Sequence, residues 1–247
     1  MRPVLSVLFW GFILASSLVL FPMAVLIFAV TAPFDPRRAI LHRFTCFWAS
    51  LYTWLNPAWN VTIHGRERLH RAGPTVLVAN HLSLLDILVM FRLQSHFKWV
   101  SKIENFRVPL IGWNMTLCGY IPLQRGTRTS VMAMMRACDA ALAKGSSIVL
   151  FPEGTRSSTG RLRSFKPGAF EIAHRNGVPI QPIVLRGTGD ALPKRGFVLQ
   201  GRHAISIEIL DPVPPADVEK TDPEDMMEQV RDRIAQALEA APDVPSA

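Results

Sequence analysis

The stretch Thr75-Val76-Leu77-Val78-Ala79-Asn80-His81-Leu82-Ser83-Leu84-Leu85-Asp86 decides how the fold of this chain is interpreted. Its first five residues form an apolar run, which predicts a short buried strand. The apolar residues that follow Ser83 recur at helical spacing, which predicts a helix. His81 and Asp86 therefore lie at the junction of a strand and a helix. The end of a strand is where an α/β sheet exposes reactive groups.

The spacing of His81 and Asp86 decides whether their side chains can touch. On one continuous helix, residues five apart point about 140° away from each other. Contact therefore requires His81 in the turn and Asp86 in the first helical turn. Ser83 and Asp86 fit the capping pattern S-x-x-D, which would begin the helix at Ser83 and leave His81 just outside it. Asp86 could then hold one imidazole nitrogen while the other acts as a general base.

A simpler interpretation is also open, in which Asp86 only caps the helix and His81 is an ordinary loop histidine. Other segments bear on this choice. Phe151-Pro152-Glu153-Gly154-Thr155-Arg156-Ser157 follows the apolar run 147–150, so it also lies at a strand end. Gly154 permits a tight turn, and Thr155, Ser157 and Arg156 offer donors suited to an anion.

Two further blocks are strand-like. Residues 119–125 (GYIPLQR) predict a strand that ends at an arginine, Arg125. Residues 178–185 (VPIQPIVL) are apolar, and their prolines favour an edge strand or the start of a strand.

These four blocks, in this order, resemble the signature of the 1-acylglycerol-3-phosphate (lysophosphatidic acid) acyltransferases, a family of glycerolipid acyltransferases. That signature runs H-x4-D, a glycine-to-arginine block, F-P-E-G-T-R-S and V-P-[IV]-x-P. The resemblance covers roughly residues 60 to 210. It implies an α/β domain in which His81 and Asp86 form a catalytic dyad. It also implies that the glycerol phosphate of the acceptor is bound by Arg125, Glu153, Gly154, Thr155 and Arg156.

The same resemblance bears on the roles of two lysines. The family often has a lysine-containing stretch between the first two blocks, and residues 101–104 fit it, so Lys102 is a further expected phosphate contact. Residues 165–170 (FKPGAF) resemble the F-K-x-G segment, but proline stands where a second lysine is common. The role of Lys166 is therefore left open.

The whole chain predicts an α/β fold with a mainly parallel central sheet flanked by helices, because strand and helix patterns alternate. The predicted strands are 60–64, 75–80, 97–101, 119–124, 147–151, 179–185 and 203–209. The predicted helices are 84–94, 107–117, 128–144 and 166–176, and a final helix begins near Asp222.

The N-terminal segment is predicted to associate with a membrane. Residues 3–34 contain no charged residue in 32 positions, and about 20 apolar residues suffice to span a bilayer. Pro22 divides the run, so it could be one tilted, kinked span or two short helices that form a re-entrant hairpin. A signal peptide is disfavoured because its apolar core is usually only about 7–15 residues long. Arg37, Arg38 and Arg43 follow the run and predict a cytoplasmic flank.

The predicted domain organisation has three parts. Residues 1–59 form the membrane-anchoring segment, whose stretch 39–59 predicts a helix that lies on the membrane or packs against the domain. Residues 60–241 form the acyltransferase domain, and residues 242–247 form a disordered tail. The anchored domain is expected at the cytoplasmic face of the inner membrane.

The charge and the cysteines limit the partners. The net charge of +8 suits an anionic membrane surface or an acidic acyl carrier protein, and no nucleic-acid motif accompanies it. The three cysteines show no metal-ligand spacing, so we interpret them as small core residues. No metal or cofactor is predicted.

The predicted reaction is acyl transfer from a thioester, acyl-CoA or acyl carrier protein, to the sn-2 hydroxyl of lysophosphatidic acid, which gives phosphatidic acid. His81 would be the general base, and Asp86 would orient it. Two alternatives are another lysolipid acceptor, such as a lysophospholipid or a lyso-ornithine lipid, and a non-catalytic lipid-binding protein. A serine esterase would need a G-x-S-x-G elbow, which the sequence lacks.

Overall fold

Residues 2–194 and 196–240 are described by the computed structural model of this protein, and the predicted tail, 242–247, lies outside them. In the described residues, seven strands form one sheet in the order β1-β7-β6-β2-β5-β3-β4. The strands are β1 (Trp59–His64), β2 (Val76–Ala79), β3 (Phe97–Lys102), β4 (Ile121–Leu123), β5 (Ser147–Leu150), β6 (Ile180–Arg186) and β7 (His203–Ile209). Neighbouring strands are parallel except β6 and β7, so the predicted mainly parallel sheet is confirmed.

Helices cover both faces of this sheet. They are α1 (Arg2–Thr31), α2 (Ala39–Trp54), α3 (Leu85–Met90), α4 (Ile111–Leu117), α5 (Arg128–Ala143), α6 (Gly168–Asn176), α7 (Thr188–Ala191), α8 (Pro215–Lys220) and α9 (Pro223–Glu239). Side chains alternate between the faces of a strand, so Leu77 packs with α1, α2 and α3, whereas Val76 packs with α5, α6 and α9. All four residues of β2 are buried, which explains its unbroken apolar sequence.

Several predicted boundaries differ from the structure. The helix predicted over 107–117 is a 3₁₀ turn over Ile103–Arg107 followed by α4. The cause is Pro109, because the residue before a proline is disfavoured in the helical conformation, and Val108 is extended. The prolines of 178–185 suggested an edge or a strand start. β6 is an interior strand, and its pairing with β7 begins at Ile183, just after Pro182. The short helices α7 and α8 were not predicted.

The uncharged N-terminal run is one helix, so the two-helix hairpin is wrong. α1 continues through Pro22 for 30 residues, a length of about 45 Å. Its buried residues share one narrow stripe, because at about 100° per residue they fall within about 40° of one another. They are Ser6, Ile13, Ser17, Ala24 and Thr31. α1 therefore lies along the α/β domain from end to end and exposes its remaining apolar surface.

Contacts at both ends of α1 support this placement. Near its start, the ring of Phe9 packs against Trp59, with centroids 5.1 Å apart. In its second half, Phe21 packs against Trp113 of α4 at 5.7 Å. Among the described residues, α1 is the one helix long and apolar enough to cross a membrane, and only 17% of its most apolar window is buried.

The connection between α1 and α2 is bound to the domain. Arg37 donates to the carbonyl of Gly145 at 3.3 Å, and Arg38 donates to the carbonyl of Leu117 at 2.7 Å. Lys98 is buried and donates to the carbonyl of Arg37 at 2.7 Å, and its burial lowers the pKa of Lys98 to about 8. Two of the three arginines expected to flank a membrane therefore hold helix ends of the domain.

The segment 39–59 packs mainly against the domain. Leu41, Cys46, Trp48 and Tyr52 of α2 are buried in the same core as β2 and α3, whereas Phe47 and Trp54 are exposed. The three cysteines, Cys46, Cys118 and Cys138, are free and buried, so their interpretation as small core residues is confirmed.

Candidate active site

The residues singled out from the sequence converge at one edge of the sheet. β2, β5, β3 and β4 are adjacent and parallel, so their carboxyl ends lie side by side. His81 follows β2, the segment 151–157 follows β5, Lys102 ends β3, and Arg125 follows β4. The carboxyl edge of a parallel sheet is the usual place for a ligand site in such folds.

His81 and Asp86 are in contact. Nδ1 of His81 lies 2.7 Å from Oδ2 of Asp86. The same oxygen accepts two backbone N–H groups, so it is an acceptor in this turn, and Nδ1 of His81 donates to it. The two backbone N–H groups are those of Leu82 at 2.6 Å and Ser83 at 2.8 Å. One carboxylate oxygen therefore fixes both the imidazole and the turn that carries it.

Two polar side chains hold this turn at the end of β2. Asn80 donates to the carbonyl of Leu185 at 2.9 Å and accepts its N–H at 2.8 Å, so a side-chain amide extends the β2–β6 ladder. Oγ of Ser83 accepts the N–H of Leu85 at 3.2 Å and donates to the carbonyl of Leu192 at 2.6 Å. The helix begins at Leu85, two residues after the start that the capping pattern predicted. Ser83 bonds the first N–H of the helix, whereas Asp86 bonds the turn that precedes it.

The imidazole is also held by stacking. The rings of His81 and Phe151 are 4.0 Å apart at an interplanar angle of 9°, and Phe151 stacks in turn on Trp99 at 5.6 Å. The side chain of His81 is only 14% exposed. Stacking and the Asp86 hydrogen bond therefore restrict the ring to one orientation.

Glu153 lies behind His81 rather than in the open site. Its Oε1 accepts the backbone N–H of His81 at 2.6 Å, and its Oε2 accepts that of Arg163 at 3.2 Å. The residue is 4% exposed. Burial raises the pKa of Glu153 more than these two N–H groups lower it. The family resemblance implied a role for Glu153 at the acceptor phosphate. In the structure its carboxylate joins the turn that carries His81 to the loop between β5 and α6.

The turn after β5 requires glycine at position 154. Gly154 has φ of 69°, a conformation that residues with a Cβ rarely adopt. A Cβ there would also lie 3.1 Å from the side chain of Lys166. The close approach of Lys166 depends on this glycine.

Six of the eight predicted site residues line one cleft of about 360 Å³: His81, Lys102, Arg125, Gly154, Thr155 and Arg156. Asp86 and Glu153 lie buried behind it. Lys102 pairs with Glu104 at 3.0 Å, and both side chains are about half exposed. Part of the cleft lining is apolar and includes Leu84, Ile87, Trp99, Val100, Leu123 and Leu150. The cleft thus combines basic and apolar surfaces around one histidine.

Two cleft residues that contact predicted site residues were not themselves predicted. Phe151 supports the imidazole, and its position in the F-P-E-G-T-R-S block was the available signal. Lys194 also lines the cleft, and its Nζ donates to the carbonyl of Arg156 at 2.6 Å. A single lysine distant in sequence carries no motif, so only the folded chain reveals it.

Comparison with known proteins shows which family has a matching sequence. The family described as Acyltransferase matches residues 60–186, slightly more than half of the chain. The chain belongs to the acyltransferase family. The family predicted from the four sequence blocks is thereby confirmed. The matched residues include His81, Asp86 and the segment 151–157, whereas α1 and Lys194 lie outside them.

Curated relatives carry more specific names. A 1-acyl-sn-glycerol-3-phosphate acyltransferase of Chlamydomonas reinhardtii is 42% identical over 186 residues, which are 74% of this chain and 55% of that protein. A chloroplastic 1-acyl-sn-glycerol-3-phosphate acyltransferase of Arabidopsis thaliana is 37% identical over 210 residues, which are 83% of this chain and 56% of that protein. The chain spans about half the length of these curated relatives.

A solved structure shares the fold. The crystal structure of the 1-acyl-sn-glycerophosphate (LPA) acyltransferase of Thermotoga maritima matches with a TM-score of 0.73 at 22% identity, and the match covers 100% of both chains. The α/β fold and the long N-terminal helix are thus those of a known acyltransferase structure.

Proposed function

We propose that this protein transfers a fatty acyl group from an acyl thioester to the sn-2 hydroxyl of lysophosphatidic acid, giving phosphatidic acid. The contact of His81 with Asp86 carries the proposal. Because Nδ1 of His81 donates its hydrogen bond to Asp86, the nitrogen left to accept a substrate proton is Nε2. Nε2 makes no hydrogen bond within the described residues, and His81 lines the cleft. The imidazole is thus arranged as a general base.

The reaction needs only a base, a thioester and a hydroxyl. Nε2 of His81 removes the hydroxyl proton as the oxygen attacks the thioester carbonyl carbon. The resulting imidazolium is stabilised by the buried charge of Asp86. When the tetrahedral intermediate collapses, the carbon–sulfur bond breaks, and the thiolate takes the proton from His81. The transfer is direct, and Ser83 is not acylated, because its hydroxyl is buried and bonded to Leu192.

The two surfaces of the cleft suit the two substrates. Lys102, Arg125 and Arg156 supply positive charge, and arginine forks match the oxygens of a phosphate monoester. The apolar part of the cleft lining, which includes Trp99 and Ile87, suits an acyl chain. Glu153 does not contact the acceptor in this proposal. It positions His81 by accepting its backbone N–H.

The names of the curated relatives support this choice of acceptor, although the chain matches only about half of their length. The basic cleft favours lysophosphatidic acid over a lysolipid without a phosphate monoester. The donor is acyl-CoA or acyl carrier protein, and the net charge of +8 suits either one, since both are anionic.

We further propose that α1 holds the cleft at the level of the lipid headgroups. α1 is packed along the domain at both ends, so an upright crossing would draw the domain into the hydrocarbon. A helix that lies in the interfacial layer instead buries its apolar face while the domain stays in water. The bilayer is the inner membrane and the domain faces the cytoplasm, with the exposed Arg43 beside anionic headgroups.

A panel of acceptors tests the proposed activity. Purified full-length protein is offered lysophosphatidic acid, lysophosphatidylethanolamine, lysophosphatidylcholine and a lyso-ornithine lipid, each with labelled acyl-CoA or acyl carrier protein. We expect the highest kcat/KM for lysophosphatidic acid. A higher value for another lysolipid would favour the alternative acceptor, and no transfer to any acceptor would favour a lipid-binding protein without turnover.

Loss of a cleft arginine should act on the acceptor. Arg125→Ala and Arg156→Ala should each raise the apparent KM for lysophosphatidic acid by roughly tenfold or more, since a charge-assisted hydrogen bond contributes about 1.5–3 kcal/mol. The KM for the thioester should change much less. Arg128→Ala and Arg161→Ala are the matched controls, because these exposed arginines lie nearby in sequence but do not line the cleft. Equal losses for both substrates would indicate donor binding or a folding defect.

A further inference from the structure

The loop of residues 196–201, here called the Phe197 loop, presents apolar side chains to solvent. Phe197 is 67% exposed and Val198 is 40% exposed. Basic residues flank the loop at Lys194 and Arg202, and the sequence from 191 to 207 contains no aspartate or glutamate. An exposed apolar tip with basic flanks matches the chemistry of an anionic lipid surface.

The Phe197 loop is bound to the start of α1. Nε1 of Trp10 donates to the carbonyl of Phe197 at 2.7 Å, and the two rings pack edge to face with centroids 5.5 Å apart. One turn earlier in α1, Oγ of Ser6 accepts the N–H of Leu199 at 2.9 Å. The exposed side chains of the loop therefore extend the exposed apolar face of α1, which includes Val7, Leu8 and Leu14.

The chain that leads into this loop contributes to the cleft. Lys194, two residues before Gly196, lines the cleft and donates to the carbonyl of Arg156. A short stretch of chain thus joins the start of α1 to a residue proposed to bind the acceptor phosphate.

We propose that the Phe197 loop is a second bilayer contact, which inserts Phe197 and Val198 into the same leaflet as α1 beside the mouth of the cleft. The inference rests on the proposed membrane association of α1. Insertion would bring the headgroup layer within reach of Lys194 and Arg156. A lipid acceptor could then present its phosphate to the cleft without leaving the leaflet.

These observations favour a bilayer, and not a protein, as the partner of the Phe197 loop. The apolar surface of the loop is continuous with that of a helix long and apolar enough to cross a membrane. Trp10 is an aromatic residue of the kind enriched at the membrane–water interface, and Phe197 is of the kind that interfacial segments bury in the lipid. Their contact would lie in that layer if α1 is interfacial.

A fluorescent label on the loop tests insertion directly. Val198→Cys is labelled with nitrobenzoxadiazole in the full-length protein, and labelling is selective because Cys46, Cys118 and Cys138 are buried. The protein is reconstituted in vesicles of phosphatidylcholine and phosphatidylglycerol, with or without bromine on the acyl chains. Met132→Cys is the matched control, since Met132 is 48% exposed on α5, which covers the opposite face of the sheet from α1.

We expect a blue shift of the label at position 198 and loss of its emission in brominated vesicles, with neither change at position 132. A label at 198 that keeps its aqueous spectrum in vesicle-bound protein would overturn the proposal, as would equal quenching at both positions or failure of the full chain to bind vesicles. The readout needs no turnover. Failure of the proposed activity would therefore appear separately, as absent acyl transfer by unlabelled protein whose labelled counterpart still inserts.

Discussion

Replacing His81 with alanine should abolish acyl transfer, because no other side chain in the described cleft is placed to act as the base. The fold should persist, since His81 is a turn residue at the edge of the sheet. Its loss removes the stacking on Phe151 and one hydrogen bond to Asp86, which keeps those from Leu82 and Ser83. Initial rates with labelled thioester measure the effect, and circular dichroism and vesicle binding check the fold. His174→Ala, on α6, is the control. Near-normal turnover in His81→Ala would end the general-base proposal.

Asp86→Asn separates the charge of this residue from its hydrogen bonds. The asparagine oxygen can still accept the N–H groups of Leu82 and Ser83 and the Nδ1 proton of His81. The negative charge that stabilises the imidazolium is lost. We expect less than about a hundredth of the wild-type kcat. If this variant kept most of its activity, the role of Asp86 would be to hold the turn.

Glu153→Ala is expected to lower kcat far more than it raises the KM for lysophosphatidic acid. The substitution leaves the N–H groups of His81 and Arg163 without their acceptor, and each such loss costs about 1–3 kcal/mol. A turn that relaxes by a fraction of an ångström moves the imidazole away from the hydroxyl. The expected fall in kcat is therefore roughly 10- to 100-fold.

The ratio of kcat and KM effects distinguishes positioning from binding. Glu153→Gln keeps one acceptor oxygen and should recover part of the lost kcat. Arg156→Ala should give the opposite pattern, with a raised acceptor KM and a smaller change in kcat. A Glu153→Ala enzyme with normal kcat and a raised KM for lysophosphatidic acid would place Glu153 at the acceptor, as the sequence first suggested.

Predictions that depended on short segments of the chain agree with the structure. The apolar run before His81 and the helical spacing after Ser83 correctly predicted a strand, a turn and a helix, because both patterns depend on residues a few positions apart. The capping pattern placed the helix start two residues too early, at Ser83 instead of Leu85. The alternation of strand and helix patterns also predicted the parallel sheet correctly, because each pattern is carried by residues close together in sequence. Pro109 also indicates the break before α4. Our prediction nevertheless extended the helix across this proline.

The sequence by itself determined which residues stand at the strand ends, and parallel strands then bring His81, Lys102, Arg125 and Arg156 to one cleft. Only the tertiary structure decided that Glu153 supports His81, that Lys194 joins the cleft, and that Arg37 and Arg38 hold helix ends. It also decided that α1 lies along the domain. These contacts join residues far apart in sequence, such as His81 with Glu153, 72 positions away, and Trp10 with Phe197, 187 positions away. A carboxylate or an arginine has the same local pattern whether it meets a backbone group or a substrate, so its partner is fixed by the packing of the whole chain.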